Sequence, residues 1–282
     1  MEITAQAIVE RIQQKLASSW KNPSGDSIVA GKGDIEVKGI VTTFSPSLEV
    51  LRKAVSSGKN MIISRESPYW QRPPVAGRGR GLTPMDNDPF YKMKSEYMAS
   101  NNLVVYRFFD NWNARQPDGQ LIGLAKALGW DKNYKPSGGI PWGTNNGFFD
   151  IPPATLKVTA QNIKKTLKMK SIRCGGDPEI TVHKAALSHG LYYLPDMRKL
   201  LAEPGVDVVI VGEPQWENEI SLYNFDLHAA GIKKGYIVLG HEVSEEPGAG
   251  EMATWLKSFV KEVPVSWIPT GEPAWMPYQS QA

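Results

Sequence analysis

The sequence predicts an α/β fold made of two similar halves, each a mixed sheet flanked by helices. Two observations predict it. Short apolar runs without polar alternation, such as MII in NMIISRESPYW (60–70), VVIV in VDVVIVG and YIVL in YIVLG, read as strands buried on both faces. Between them lie segments with apolar residues at helical spacing, so helix and strand alternate along the chain. A weaker third observation gives the two halves. LRKAVSSGKNMIISRESPYW aligns with MRKLLAEPGVDVVIVGEPQW after one-residue adjustments, matching Arg52 with Arg198, Gly58 with Gly205, Glu66 with Glu213 and Trp70 with Trp216. The alternative is that any two helix–strand units share such features.

The elements follow in order. Ala5, Ile8, Val9, Ile12 and Leu16 line one face of a first helix, with Thr4 placed to cap it. VKGIVTTF is a strand, SLEVLRKAVSSG a helix closed by Gly58, and NMIIS the next strand. The loop QRPPVAGRGRGLTP then leads to the helix FYKMKSEYMAS, the strand LVVYRF and the helix LIGLAKALGW. Residues 131–153, rich in Gly, Pro, Asn and Trp, read as an ordered excursion or domain junction. Leu156, Ala160, Ile163 and Leu167 mark a helix leading into KSIRCGG. The rest reads as helix MRKLLAE, strand VDVVIVG, helix NEISLYNFDLHAAG, strand YIVLG, helix GEMATWLKSFV and strand PVSWIP. The halves are expected over residues 1–150 and 151–282, the closing His/Glu motif of the second returning to a shared site.

Composition narrows the functions. The 32 Lys and Arg against 29 Asp and Glu leave +3, which gives no electrostatic case for nucleic-acid binding. The single cysteine, Cys174, cannot form an internal disulfide and reads as a small buried residue. No run reaches the ~20 apolar residues of a membrane span. MEITAQAIVERIQQKL lacks a charged segment followed by an apolar core, so a cytoplasmic location is the default expectation.

The ends of the buried strands carry the chemistry. MIIS ends in Arg65 and Glu66, LVVYRFF in Asp110, VVIVG in Glu213, and YIVLG in His241, with Glu245 four residues on. In open α/β sheets ligands bind beyond the carboxyl ends of the strands, here between the two halves. Buried carboxylates cost desolvation energy unless paired or coordinating a cation. Oxygen donors with one imidazole suit Mn, Fe, Zn or Mg. The bland alternative is a set of loop residues in solvent or in ordinary ion pairs. Arg78 and Arg80 could touch phosphates but read as a surface loop, and His189 in SHG could face the site from the second half but reads as a turn histidine.

At these residues the sequence resembles the dinuclear-metal, toroidal-hexamer proteins known as GTP cyclohydrolase I type 2 homologues, the NIF-three-like family. The nearest branch carries Thr-His-Glu-Pro-Thr-Phe-Tyr where this chain has SRESPYW, and Arg-Phe-His-Asp-His-Trp-His where it has RFFDNWN (107–113). GGDPEITV, GEPQWENEISLYNFDLHAAG and IVLGHEVSEEPGAGEMATWLK extend the likeness over roughly residues 5–272. The resemblance implies metal ligands at Glu66, Asp110, His241 and Glu245, with Glu66 and Glu245 also serving the chemistry. It places Arg65, Glu213 and Trp216 around them, in a second shell or facing substrate. Arg65 stands where the family has a ligating histidine, and Phe109, Asn111 and Asn113 where the branch has histidines. The implied centre is weakened, with one divalent ion (Zn, Mn or Fe) or none per chain.

An arginine cannot ligate a metal. Arg65 can bridge Glu66, Asp110 or Glu245 in place of a cation, the reading favoured by the joint absence of several histidines, or it can hold an anionic substrate. Two functions follow. One is a metal-dependent hydrolase acting on an unknown small molecule through a metal-activated water. The other is a non-catalytic, ring-forming binding or scaffold protein. The resemblance implies a homohexamer in either case.

Overall fold

The computed structural model describes residues 2–69, 88–135 and 146–277. Arg78 and Arg80, and Trp70 of the internal echo, lie outside them. The chain divides into two compact units, Met1–Gly119 with Gly248–Thr270, and Gln120–Pro247 with Gly271–Ala282. The division expected at residue 150 falls inside a strand.

The first unit opens with α1 (Ala5–Lys15), β1 (Ser27–Ala30), β2 (Ile40–Thr43), α2 (Leu48–Ser56), β3 (Met61–Ser64), α3 (Pro89–Ser100), β4 (Val104–Arg107) and the short α4 (Asp110–Asn113). The chain continues through α5 (Gly119–Leu128), β5 (Tyr134–Lys135), β6 (Asn146–Thr155), α6 (Leu156–Thr166), β7 (Arg173–Gly175), β8 (Thr181–Ser188), β9 (Leu191–Tyr192) and α7 (Leu194–Ala202). Then come β10 (Val208–Val211), β11 (Glu213–Pro214), α8 (Glu217–Ala229), β12 (Gly235–Val238), α9 (His241–Lys257) and β13 (Val265–Trp267).

In the first unit the strands run β1-β4-β3-β2-β13, all parallel except β1. Every residue of β2, β3 and β4 is buried, as expected of a parallel sheet covered on both faces. One face packs on α1 through Ile8 and Ile12 and on α9 through Met252 and Leu256. The other packs on α2 and α3 through Leu51 and Met98. The caps follow the sequence: Thr4 accepts from the Ala7 N–H, Ser47 from Val50, and Asp88 from Phe90 and Tyr91 ahead of Pro89. Gly58 takes φ +71° at the end of α2, where a side chain would be strained.

The second unit holds the sheet β5-β6-β8-β10-β12-β7, in which β8, β10 and β12 are parallel. A small pairing of β9 with β11 lies apart from it. The mixed α/β character is therefore as expected, and α2–β3 and α7–β10 are both helix–strand units feeding a parallel sheet.

Two expectations are corrected. The stretch 131–153 is no mere excursion, because Asn146–Thr155 forms β6, which pairs along β8. The strand β8, in which His183 and Lys184 interrupt the apolar run, sits between β6 and β10. Cys174 is exposed on β7, a three-residue strand at the edge of the sheet.

One buried cation tests the packing. The Lys94 ammonium on α3 is buried and donates to the Pro68 carbonyl at 2.7 Å. Burial lowers its pKa to about 8. An unfolded chain holds this proton up to about 10.5, so stability is expected to rise with pH between about 8 and 10.5. Lys94→Met should stabilise the fold by about 2 kcal/mol at pH 7 and by less at pH 9.5. Urea unfolding at the two pH values checks this, and a destabilised Met variant at pH 7 contradicts it.

Candidate functional site

In the first unit β3 and β4 end level, Ser64 opposite Arg107. Beyond them the chain must turn while keeping its aromatic residues inside. Phe108 and Trp112, one helical turn apart, are fully buried in the core, which leaves Phe109 and Asp110 half-buried at the strand ends. The turn is fastened from a distance. The Asp26 carboxylate accepts the backbone N–H groups of Phe109, Asp110 and Asn111 at 2.8–2.9 Å, and Asn111 Nδ2 at 2.9 Å. Burial pushes the Asp26 carboxyl above the usual carboxylate range, against the pull of those four donors.

Asp110 Oδ2 accepts the Gly25 N–H at 2.6 Å, and its Oδ1 lies 3.6 Å from Arg107 Nη2. A Cβ on Gly25 would stand 2.8 Å from Arg107 Nη1 and 3.2 Å from Asp110 Oδ2, so a side chain there would displace the Arg107 guanidinium. Arg65 is buried, forms an ion pair with Glu66, and stacks 4.1 Å over the Phe109 ring. Arg107 lies 5.4 Å from the same ring. Phe109 and Asn111, two of the positions without the expected histidines, thus have structural work of their own: Phe109 seats two guanidinium groups, and Asn111 also accepts from the Lys21 N–H at 2.6 Å.

In the second unit β8, β10 and β12 deliver His189, Glu213 and His241 just past their carboxyl ends. The helix α9 begins at His241, earlier than the expected start near Gly250, and Pro247 lies inside it. His241 and Glu245 are therefore neighbours at i, i+4 on one helix face. His241 Nδ1 lies 2.8 Å from Glu213 Oε2, and because a carboxylate only accepts, Nδ1 carries the proton. His241 Nε2 then faces Glu245 Oε2 at 3.4 Å. The other Glu245 oxygen accepts from His189 Nδ1 at 2.9 Å, with both side chains buried. Trp216 is exposed at the head of α8 with φ +56°, and Glu217 pairs in bidentate fashion with Arg173 at 2.5 and 2.7 Å.

Glu213, His241 and Glu245 thus come together in the second unit, joined by His189. Glu66 and Asp110 belong to the first unit, each beside an arginine. One residue carries no signal in the sequence. Asp26 acts on residues more than 80 positions away, and nothing local marks it. For His189 in SHG, the structure favours the site-facing alternative over the ordinary turn histidine.

Do these donors suit a divalent ion? Among the described residues no three His, Cys, Asp or Glu side chains stand in position to hold one. The pair His241 Nε2 and Glu245 Oε2 does fit one cation. His241 Nε2 and Glu245 Oε2 stand 3.4 Å apart, a spacing that one cation can bridge. A carboxylate behind Nδ1 is the usual support of a ligating histidine. The Arg65–Glu66 pair does not fit a second ion, since Glu66 already answers a permanent cation.

Asp26→Ala should cost about 2–3 kcal/mol, because it strands backbone N–H groups at a buried turn. Urea unfolding measures it, and a loss within 0.5 kcal/mol, ordinary for a surface site, would remove Asp26 from this role.

The sequence profile described as Duf34/NIF3 (NGG1p interacting factor 3) matches residues 2–273. The chain is 24% identical over 213 residues to a Clostridium acetobutylicum protein named GTP cyclohydrolase 1 type 2 homolog, covering 74% of each. A protein of the same name from Escherichia coli K12 is 24% identical over 266 residues, covering 93% of this chain and 96% of that one. Among solved structures, a Staphylococcus aureus hypothetical protein superposes over 100% of both chains with a TM-score of 0.74 at 17% identity. A Bacillus cereus protein related to NIF3 superposes over 99% of both, with a TM-score of 0.66 at 14% identity. At these identities the structures share the fold.

Proposed function

The chain belongs to the Duf34/NIF3 family, and from that premise we propose that it is a metal-dependent hydrolase with a reduced centre holding at most one divalent ion. The observation that carries the reading is the facing pair of His241 Nε2 and Glu245 Oε2 at 3.4 Å, with Glu213 behind the imidazole. When bound there, a Zn, Mn or Fe ion supplies Lewis acidity and lowers the pKa of water. The protein's own part is to fix the donors. Glu213 holds the proton on Nδ1 and aims Nε2, and the start of α9 sets the spacing of His241 and Glu245. Glu245 also serves as proton acceptor. Glu66 and Asp110 are carboxylates at the first unit's own strand ends, with Glu66 tempered by Arg65. The relatives' name suggests a nucleotide as the class of substrate.

The test uses protein purified without chelator or nickel column. Elemental analysis should find a divalent ion at or below one per chain, and hydrolysis of a nucleotide panel should stop on adding EDTA and return with Zn or Mn. Protein that carries no ion and takes none up would overturn the reading.

A second reading rests on Arg65–Glu66: a charge pair where the family has a metal ligand suits a binding or scaffold protein that has lost the dinuclear centre. Both readings include a homo-oligomer, a hexamer by family resemblance. Light scattering should give a mass near six chains, and a stable monomer at working concentration contradicts it.

A further inference from the structure

The buried imidazole of His189 is the least expected part of the second unit's cluster. It is wholly excluded from solvent, as is Glu245, and the two are joined at 2.9 Å. A buried carboxylate is costly unless its oxygens are answered, and an imidazole N–H aimed at one oxygen fixes the plane of the whole group. The surroundings are shaped to permit it. Gly190, next to His189, takes φ +61°, and any side chain there would run into Glu245 Oε1. The Gly190 N–H donates to Ser244 Oγ at 2.9 Å, and that hydroxyl donates to the His241 carbonyl at 2.7 Å. The Gly190 carbonyl accepts the Glu213 N–H at 2.8 Å. The turn after β8 is thereby pinned to the first turn of α9 and to the start of β11.

We infer that His189 is a positioning residue: by holding Glu245 Oε1 it turns Oε2 toward His241 Nε2. Glu245 is then supported from behind by an imidazole, just as His241 is supported from behind by Glu213, and the two donors are set by two separate strand ends. This deepens the metal-site reading and rests on it for its consequence, but not for its geometry. Outer hydrogen-bond partners of metal ligands are worth about 10–100-fold in affinity.

Two variants separate positioning from mere packing. His189→Leu fills the space and removes the donor, and His189→Asn places an amide N–H where Nδ1 stood. Zinc affinity of the full chain, by competition with a chromophoric chelator, should fall about 10–100-fold in His189→Leu and stay within about threefold of wild type in His189→Asn. A packing role predicts the reverse order, because Leu fills the site better than Asn. Long-range proton–nitrogen spectra of the metal-free protein provide the second readout, made tractable by only four histidines. The His241 ring signals should move in His189→Leu and hold in His189→Asn. Wild-type zinc binding with an unaffected Leu variant overturns the inference while leaving the metal site standing. If the wild type binds no zinc, the metal reading fails and the ring spectra alone decide: unchanged His241 signals in His189→Leu overturn the inference.

Discussion

His241→Ala should abolish metal binding while the circular dichroism spectrum stays unchanged. The side chain supplies one of the two donors of the proposed site, and among the described residues no third His, Cys, Asp or Glu stands with them to hold an ion. Outer partners already matter by about 10–100-fold, and loss of the ligand itself should exceed 100-fold. Glu213→Ala, which removes the carboxylate behind Nδ1, should weaken binding by about tenfold and mark the difference between ligand and support. The structural cost is small, since His241 opens α9 and alanine is well tolerated in a helix. Acidification should weaken binding in the wild type, because a proton and the ion compete for Nε2. Isothermal titration with Zn or Mn, run on wild type and variants, measures all of this. Equal stoichiometry in wild type and His241→Ala would place the metal elsewhere.

Much of the fold can be read from the sequence because its determinants are local. Unbroken apolar runs such as MII and VVIV predict strands covered on both faces, and Thr4, Ser47 and Gly58 mark helix ends where local hydrogen bonds and a positive φ require them. The strand β8 is less visible. Its apolar residues are interrupted by His183 and Lys184, and its place beside β6 and β10 is decided by pairing across the sheet rather than by its own pattern. The candidate site divides the same way. Glu213, His241 and Glu245 stand at strand ends with recognisable spacing. Asp26 and His189 act through hydrogen bonds to residues 83 and 56 positions away, and no local signal carries that information. Asn111 shows the limit of a resemblance. It stands where a histidine was expected, yet its amide is committed on both sides, to Asp26 and to the Lys21 backbone.

Arg65→His should raise the number of ions held per chain, and the wild type should hold at most one. Arg65 is buried, paired with Glu66 and stacked on Phe109, so its charge is fixed in place rather than swung into solvent. An ion on Glu66 must compete with that guanidinium for the carboxylate. At an effective dielectric near 20, two like unit charges about 4 Å apart cost about 4 kcal/mol, and a divalent ion roughly doubles this. Screening and side-chain movement reduce the figure, but several tenfold steps in affinity remain. Histidine in its place removes the charge and adds a nitrogen donor suited to Zn, Mn or Fe. Arg65→Gln separates the two contributions, because it removes the charge and adds no imidazole. Both variants should bind more metal than wild type, with the histidine variant ahead. Elemental analysis after equilibration with excess Mn or Zn and desalting gives the counts. Two ions per chain in the wild type, or no gain in either variant, would mean that the Arg65–Glu66 pair does not govern occupancy.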